Sequence, residues 1–185
     1  MKIRVIVPCY NEGEVVLKTY DKLTEIMKKD SLIKNYEYDL LFINDGSTDT
    51  TIHHIKNIVA YDNHVKYLSF SRNFGKEAAM IAGYQHSTMH DAVIMIDGDL
   101  QHPPEYIPQM IEGYIEGYDQ VVAKRNRQGE NFVRKTLSRC YYKLINAFVE
   151  DIQFEDGVGD FRLLSRRAVQ ALTTLDEYNR FSKGL

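Results

Sequence analysis

A chain of 185 residues, 44% of them hydrophobic, is long enough to bury one sizeable core and too short for two ordinary ones. With 23 basic against 26 acidic residues the formal charge is -3, which argues against wholesale attraction to nucleic acid or an anionic membrane and leaves only local basic surface. The two cysteines, Cys9 and Cys140, are far apart and in no CxxC pair, so a reducing, cytosolic setting is favoured over a disulfide scaffold or a zinc site.

The opening MKIRVIVPCYNE has a charge and a short apolar run, without the apolar stretch and small-residue cleavage site of a signal peptide. It reads as a strand over residues 3–7, followed by a helix over 15–27. The same alternation returns as a strand at 39–43 with a helix at 52–60, a strand at 65–70 with a helix at 77–87, and a strand at 92–96 with a helix at 104–117. A last strand, 120–123, closes the series, and a polar loop follows at 124–131. This order predicts an α/β fold with a mostly parallel, Rossmann-like sheet and helices on both faces. The strands are near-continuous Val, Ile and Leu runs, as expected where both faces of a sheet are covered. Nowhere do about 18 apolar residues run consecutively, so the chain as given is expected to meet a membrane peripherally.

In an open sheet of this kind ligands bind beyond the carboxyl ends of the strands, which directs attention to the segments that follow them. After the first strand comes Pro8-Cys9-Tyr10-Asn11-Glu12, and after the second Asn44-Asp45-Gly46-Ser47-Thr48-Asp49. Asp45 can accept from a uracil N3–H or a ribose hydroxyl, Gly46 permits a turn, and Asp49 can cap the next helix. Taken alone, this segment reads as a turn with a helix cap rather than as a ligand site. After the fourth strand comes Asp97-Gly98-Asp99-Leu100-Gln101-His102. Two carboxylates around a glycine, with Gln101 adding an oxygen, suit Mg²⁺ or Mn²⁺ completed by substrate phosphates, whereas the bland alternative is an acidic turn capping the next helix. His102, beside proline, reads as structural. Arg72 and Lys76 flank Gly75 at a helix start, where backbone amides favour an anion; a solvated basic turn is the competing reading. Residues 131–150 have the period of an amphipathic helix, with Val133, Leu137, Tyr141, Leu144 and Phe148 on one stripe and Lys135, Arg139 and Lys143 opposite. Core packing explains the stripe, and the basic side suits a headgroup surface. Near the end, Gly157 to Arg162 reads as a glycine-loosened turn carrying Asp160 and Arg162.

In this order and spacing, PCYNE at 8–12, NDGSTD at 44–49, SRNFGKEAA at 71–79, DGDLQHPPE at 97–105 and DGVGDFRLLSRR at 156–167 resemble family 2 glycosyltransferases. They point in particular to the polyisoprenyl-phosphate branch of dolichyl-phosphate mannose synthase and the bactoprenol glucosyltransferases. The resemblance implies a GT-A fold and an inverting transfer from a nucleotide-sugar donor to a polyisoprenyl phosphate such as undecaprenyl phosphate. It implies that Pro8, Tyr10, Glu12, Asp45, Asp97 and Arg125 hold the donor, and that Asp97, Asp99 and Gln101 hold Mg²⁺ or Mn²⁺. It also implies that Arg72, Lys76, Arg134, Arg139 and Arg162 receive the acceptor phosphate. Asp99 and Asp160 are then the catalytic candidates, although a phosphomonoester, largely dianionic at neutral pH, needs less help from a base than a sugar hydroxyl does.

On this reading residues 1–185 are one GT-A catalytic domain, with 1–124 the nucleotide-sugar-binding sheet region and 125–185 the acceptor side. It works at the cytoplasmic face of a membrane, and the membrane segments that follow in bacterial relatives are missing from its end. UDP-glucose and UDP-N-acetylglucosamine are the expected donors, with UDP and GDP not separable from carboxylates alone; the oligomeric state, a homo-oligomer included, stays open. Tryptophan is absent, so the QxxRW motif of processive synthases cannot occur. A sugar nucleotidyltransferase is disfavoured because no glycine-rich triphosphate loop opens the chain. Transfer to a glycan or protein hydroxyl, and a non-catalytic nucleotide-sugar-binding subunit, are the remaining alternatives.

Overall fold

The structure, a computed structural model, describes residues 1–124 and 158–174. Its elements are β1 (Lys2–Cys9), α1 (Val16–Lys34), β2 (Glu37–Asn44), α2 (Thr51–Tyr61), β3 (Val65–Ser69), α3 (Lys76–Gln85), β4 (Ala92–Met95), α4 (Ile107–Ile115), β5 (Gln120–Lys124), β6 (Val158–Ser165) and α5 (Arg166–Thr174). They build a six-stranded sheet in the order β3-β2-β1-β4-β6-β5. β3, β2, β1 and β4 are parallel, and β6 runs antiparallel to both of its neighbours.

Alternation along each strand feeds two apolar layers. Ile3, Val5 and Val7 of β1 and Leu40 and Phe42 of β2 face the layer completed by Leu23 and Met27 of α1, Ile55 and Ile58 of α2, and Ile107 and Ile111 of α4. Ile6, Leu41, Ile43 and Met95 face the opposite layer, where Ala79, Met80 and Tyr84 of α3 and Val169 of α5 pack. Burial on both faces is why these strands read as unbroken apolar runs.

Three sequence expectations change. The helix begun at residue 15 runs on to Lys34, because it continues beyond its apolar stripe: Leu32 and Ile33 are exposed, and the end comes at Asn35, whose φ of 54° is left-handed. More consequentially, the stretch expected to turn around Asp160 is the strand β6, inserted between β4 and β5. Asp160 and Arg162 alternate with Phe161 and Leu163 at the strand period, but Gly157 and Gly159 just before them read as a turn and masked it. The expected helix 104–117 begins as a single 3-10 turn, Pro104–Tyr106, before α4.

The register positions the site. β1 and β2 end together, Cys9 opposite Asn44, and β3 ends at Ser69 beside Asn44, so the three following loops share one edge. β4 pairs with β6 through Met95 and Arg162. Continuing that antiparallel register two residues further sets Asp97 across from Asp160, at the same edge.

Candidate functional site

The loops after β1, β2 and β3 are stitched into one wall. Asn11, with a left-handed φ of 55°, accepts the Thr48 backbone N–H on its Oδ1 at 2.9 Å, and its own N–H donates to Ser47 Oγ at 3.0 Å. The Glu12 N–H donates to Thr51 Oγ1 at 2.8 Å. The N-cap of α2 is Thr50 rather than Asp49; Asp49, one residue earlier, accepts the N–H of Thr51, the first residue of α2, and also accepts the Gly13 N–H, both at 2.9 Å. The third loop is drawn in by Asp45, which is buried and accepts the backbone N–H of Phe74 at 2.7 Å and of Gly75 at 2.9 Å. A carboxylate at the start of α3 also meets the positive end of the helix dipole. Gly46 permits the contact: its φ is 65°, and a Cβ there would lie 2.2 Å from the Arg72 carbonyl carbon.

The opposite wall is the turn after β4. Gly98 lies against β1, where a Cβ would come within 3.1 Å of the Pro8 carbonyl oxygen, and its own carbonyl accepts from the buried Thr19 Oγ1 at 2.7 Å. Leu100 takes a left-handed φ of 57°, an uncommon conformation for a branched side chain. That twist lets the Gln101 N–H close onto Asp99 Oδ1 at 2.9 Å. Between the walls lies an open cleft of about 260 Å³. Pro8, Tyr10, Glu12, Asp45, Lys76, Asp97 and Asp99 all line it, so seven of the residues singled out from the sequence converge.

Charge in the cleft is unevenly distributed. Burial raises the Glu12 carboxyl above its ordinary value, and the carboxylates of Asp99, Asp49 and Asp97 push it the same way. Opposing them is Lys76, whose Nζ lies 2.6 Å from Asp97 Oδ1 and 2.7 Å from Asp160 Oδ2. Burial alone would lower the Lys76 ammonium, but hydrogen bonds to Asp160 and Asp97 outweigh it and the net direction is upward. Cys9, beneath the cleft, is held as a thiol by burial, with the charges of Glu12 and Asp97 adding to the effect.

The remaining candidates lie around this centre. Gln101 is exposed beside Asp99. Arg72 is outside the cleft, its guanidinium stacked 4.5 Å over the Phe74 ring. Arg162 is buried behind Asp160, with Nη2 3.8 Å from Asp160 Oδ1. Arg125, Arg134 and Arg139, and the helix expected over 131–150, fall outside the described residues. Sequence reasoning passed over Asn73, which lines the cleft within SRNFGKEAA, and set His102 aside. His102 Nδ1 lies 3.4 Å from Asp97 Oδ2 and its ring lies beside Phe161. Its place five residues after Asp97 was the available signal.

A divalent cation fits this donor set. Among the described residues no group of three or more His, Cys, Asp or Glu side chains is placed to hold a metal ion by itself; Asp97 and Asp99, on one turn, are the carboxylates that could bind Mg²⁺ or Mn²⁺ together with substrate oxygens, the habit of these cations.

Comparison with known proteins agrees with this architecture. CsbB, a candidate glycosyltransferase of Bacillus subtilis (strain 168), is 55% identical over 183 residues, which is 99% of this chain and 54% of that protein. The bactoprenol glucosyl transferase of Shigella phage SfX is 43% identical over 186 residues, covering 100% of this chain and 59% of that protein. The chain thus spans between half and two thirds of the length of these relatives. Among solved structures, the mannosyltransferase PcManGT from Pyrobaculum calidifontis, in complex with GDP-Man and Mn²⁺, superposes with a TM-score of 0.61 at 16% identity, over 92% of this chain and 46% of that one. Glucosyl-3-phosphoglycerate synthase from Mycobacterium tuberculosis, in complex with UDP, superposes at 0.55 and 20%, over 90% of this chain and 57% of that one. These likenesses identify the fold as GT-A. The sequence profile described as glycosyl transferase family 2 matches residues 4–173, and the chain belongs to that family.

Proposed function

We propose that this chain is the sugar-transfer domain of a polyisoprenyl-phosphate glycosyltransferase, taking hexose from a nucleotide-sugar, with UDP-glucose or UDP-N-acetylglucosamine preferred. The observation that carries the reading is the convergence of Tyr10, Glu12, Asp45, Asp97 and Asp99 on one cleft at the carboxyl edge of the sheet. The acceptor class is supported by the 43% identity, along the whole chain, to a protein named for transferring glucose to bactoprenol.

In this reading Tyr10, Glu12 and the loop held by Asp45 receive the nucleoside. Asp97 and Asp99 would hold Mg²⁺ or Mn²⁺, which when bound acts as a Lewis acid toward the diphosphate leaving group. Asp45 positions the α3 terminus, because both of its oxygens already accept backbone amides, and each oxygen keeps a second lone pair for a ribose hydroxyl. The acceptor phosphate approaches from the side of Lys76 and Asp160. Its oxygen attacks the anomeric carbon in line as the bond to the diphosphate breaks, inverting that centre without a covalent enzyme intermediate. A phosphomonoester has its second pKa at about 6, so Asp160 orients the acceptor side more than it removes a proton. Among the described residues no helix is long and apolar enough to cross a membrane, and we place the domain peripherally at the cytoplasmic membrane surface.

The test is product formation from a panel of UDP- and GDP-sugars with short-chain polyprenyl phosphate in detergent, with Mn²⁺ or with EDTA. A lipid-linked sugar formed only with metal supports donor, acceptor and cation together. Transfer to a sugar or peptide hydroxyl, with none to the lipid, overturns the acceptor assignment.

A further inference from the structure

One side chain in the cleft connects its two halves. Lys76 Nζ bonds at once to Asp97, in the turn after β4, and to Asp160 on β6, 84 residues away in sequence. The antiparallel register sets those two carboxylates opposite one another, and without a cation between them they would repel.

Lys76 is also the first residue of α3, where the helix dipole disfavours a positive charge. Nothing in helix formation calls for lysine there, so its reason lies in the carboxylates that it faces. Its backbone is pinned by the clamp of Asp45 on Gly75 and Phe74, yet its side chain is 42% exposed, so the ammonium can move while the helix start stays fixed. On Asp97, His102 stands nearest Oδ2, and Lys76 takes Oδ1.

We propose that Lys76 is a resident counter-cation for Asp97 and Asp160, and that a divalent cation binding at Asp97 displaces its ammonium. This inference rests on the metal assignment given above. The exchange replaces one ion pair at Asp97 by another and leaves the ammonium beside Asp160, on the acceptor side of the cleft. Cation binding is thereby coupled to the charge that the incoming phosphate meets.

The experiment is a Mn²⁺ titration of the full chain, followed by electron paramagnetic resonance of free Mn²⁺, with no nucleotide or lipid present. Lys76→Met and Lys76→Gln are expected to bind Mn²⁺ roughly tenfold tighter than the parent chain, because a competing positive charge a few ångström away is gone. Lys76→Arg, which keeps the charge, is expected to bind like the parent. Thermal melts of all three serve as the folding control. Equal or weaker Mn²⁺ binding by both neutral variants overturns the inference. If Mn²⁺ binding depends on Asp97 but ignores Lys76, only the counter-cation role falls; if Asp97→Asn binds Mn²⁺ like the parent, the metal assignment falls and takes the inference with it.

Discussion

Asp45 and Gly75 are thirty residues apart in sequence, and Asp45 Oδ2 accepts the Gly75 backbone N–H at 2.9 Å while Oδ1 holds Phe74. One buried carboxylate thus fixes where α3 begins and where Lys76 starts. Asp45→Ala removes both acceptors and leaves two amides unpartnered at a helix start, an expected cost of about 1–3 kcal/mol. Asp45→Asn, which keeps one acceptor oxygen, is expected to lose less. Urea unfolding of the three proteins checks the order, and equal midpoints would show that the clamp contributes nothing.

Gly46 tests the same junction from the backbone. A Cβ at its φ of 65° meets main-chain atoms of Arg72, which cannot rotate away. Gly46→Ala is expected to cost at least about 3 kcal/mol, the combined effect of left-handed strain and a backbone clash. Gly117→Ala is the control: its φ is 104° and its Cβ would meet nothing within 4 Å, so only the backbone cost of about 1–2 kcal/mol applies. Thermal melts that fail to separate the two variants would refute the close approach of the second and third loops.

The parallel half of the sheet was legible because strands covered on both faces must be apolar throughout, as in Ile3, Val5, Ile6 and Val7. Glu12, Asp45, Asp97 and Asp99 were legible because polar residues immediately after such strands lie at a shared edge. β6 was not: Gly157 and Gly159 just before Asp160 read as a turn, and its place between β4 and β5 depends on long-range pairing that no local pattern encodes. The pairing of Lys76 with Asp97 and Asp160 was hidden for the same reason, since it exists only once the register of β6 is set. Helix ends were blurred where exposed apolar residues such as Leu32 and Ile33 broke the stripe.

Away from the cleft, Arg4 and Asp39 form a buried pair, with Arg4 Nη2 2.8 Å from Asp39 Oδ2 and with His90 and Lys66 beside the same oxygen. Burial would raise the Asp39 carboxyl, but hydrogen bonds from Arg4 and His90 and their charges hold it well below the usual carboxylate range. The folded chain therefore binds fewer protons here than the unfolded one. The resulting stability is fully present above the unfolded value of about 4 and is lost as the pH falls below it. Asp39→Ala leaves Arg4 buried without its partner, an expected cost of about 3–5 kcal/mol at neutral pH. Unfolding midpoints from pH 7 to pH 3 should fall more steeply for the parent than for the variant. Parallel slopes would remove Asp39 as the source.

Asp99 stands among carboxylates, and its charge helps to raise Glu12. Replacing it with asparagine removes a repulsion, so Asp99→Asn is expected to fold at least as stably as the parent chain. The same change removes one of the two anionic oxygen donors that the turn after β4 offers a cation. Mn²⁺-dependent binding of a nucleotide-sugar is expected to weaken at least about 100-fold, whereas any metal-independent binding of the nucleoside stays as it was. Calorimetric titration of UDP-glucose with Mn²⁺ and with EDTA separates the two contributions. A variant that binds the donor as tightly as the parent does when Mn²⁺ is present would show that Asp99 is no cation ligand.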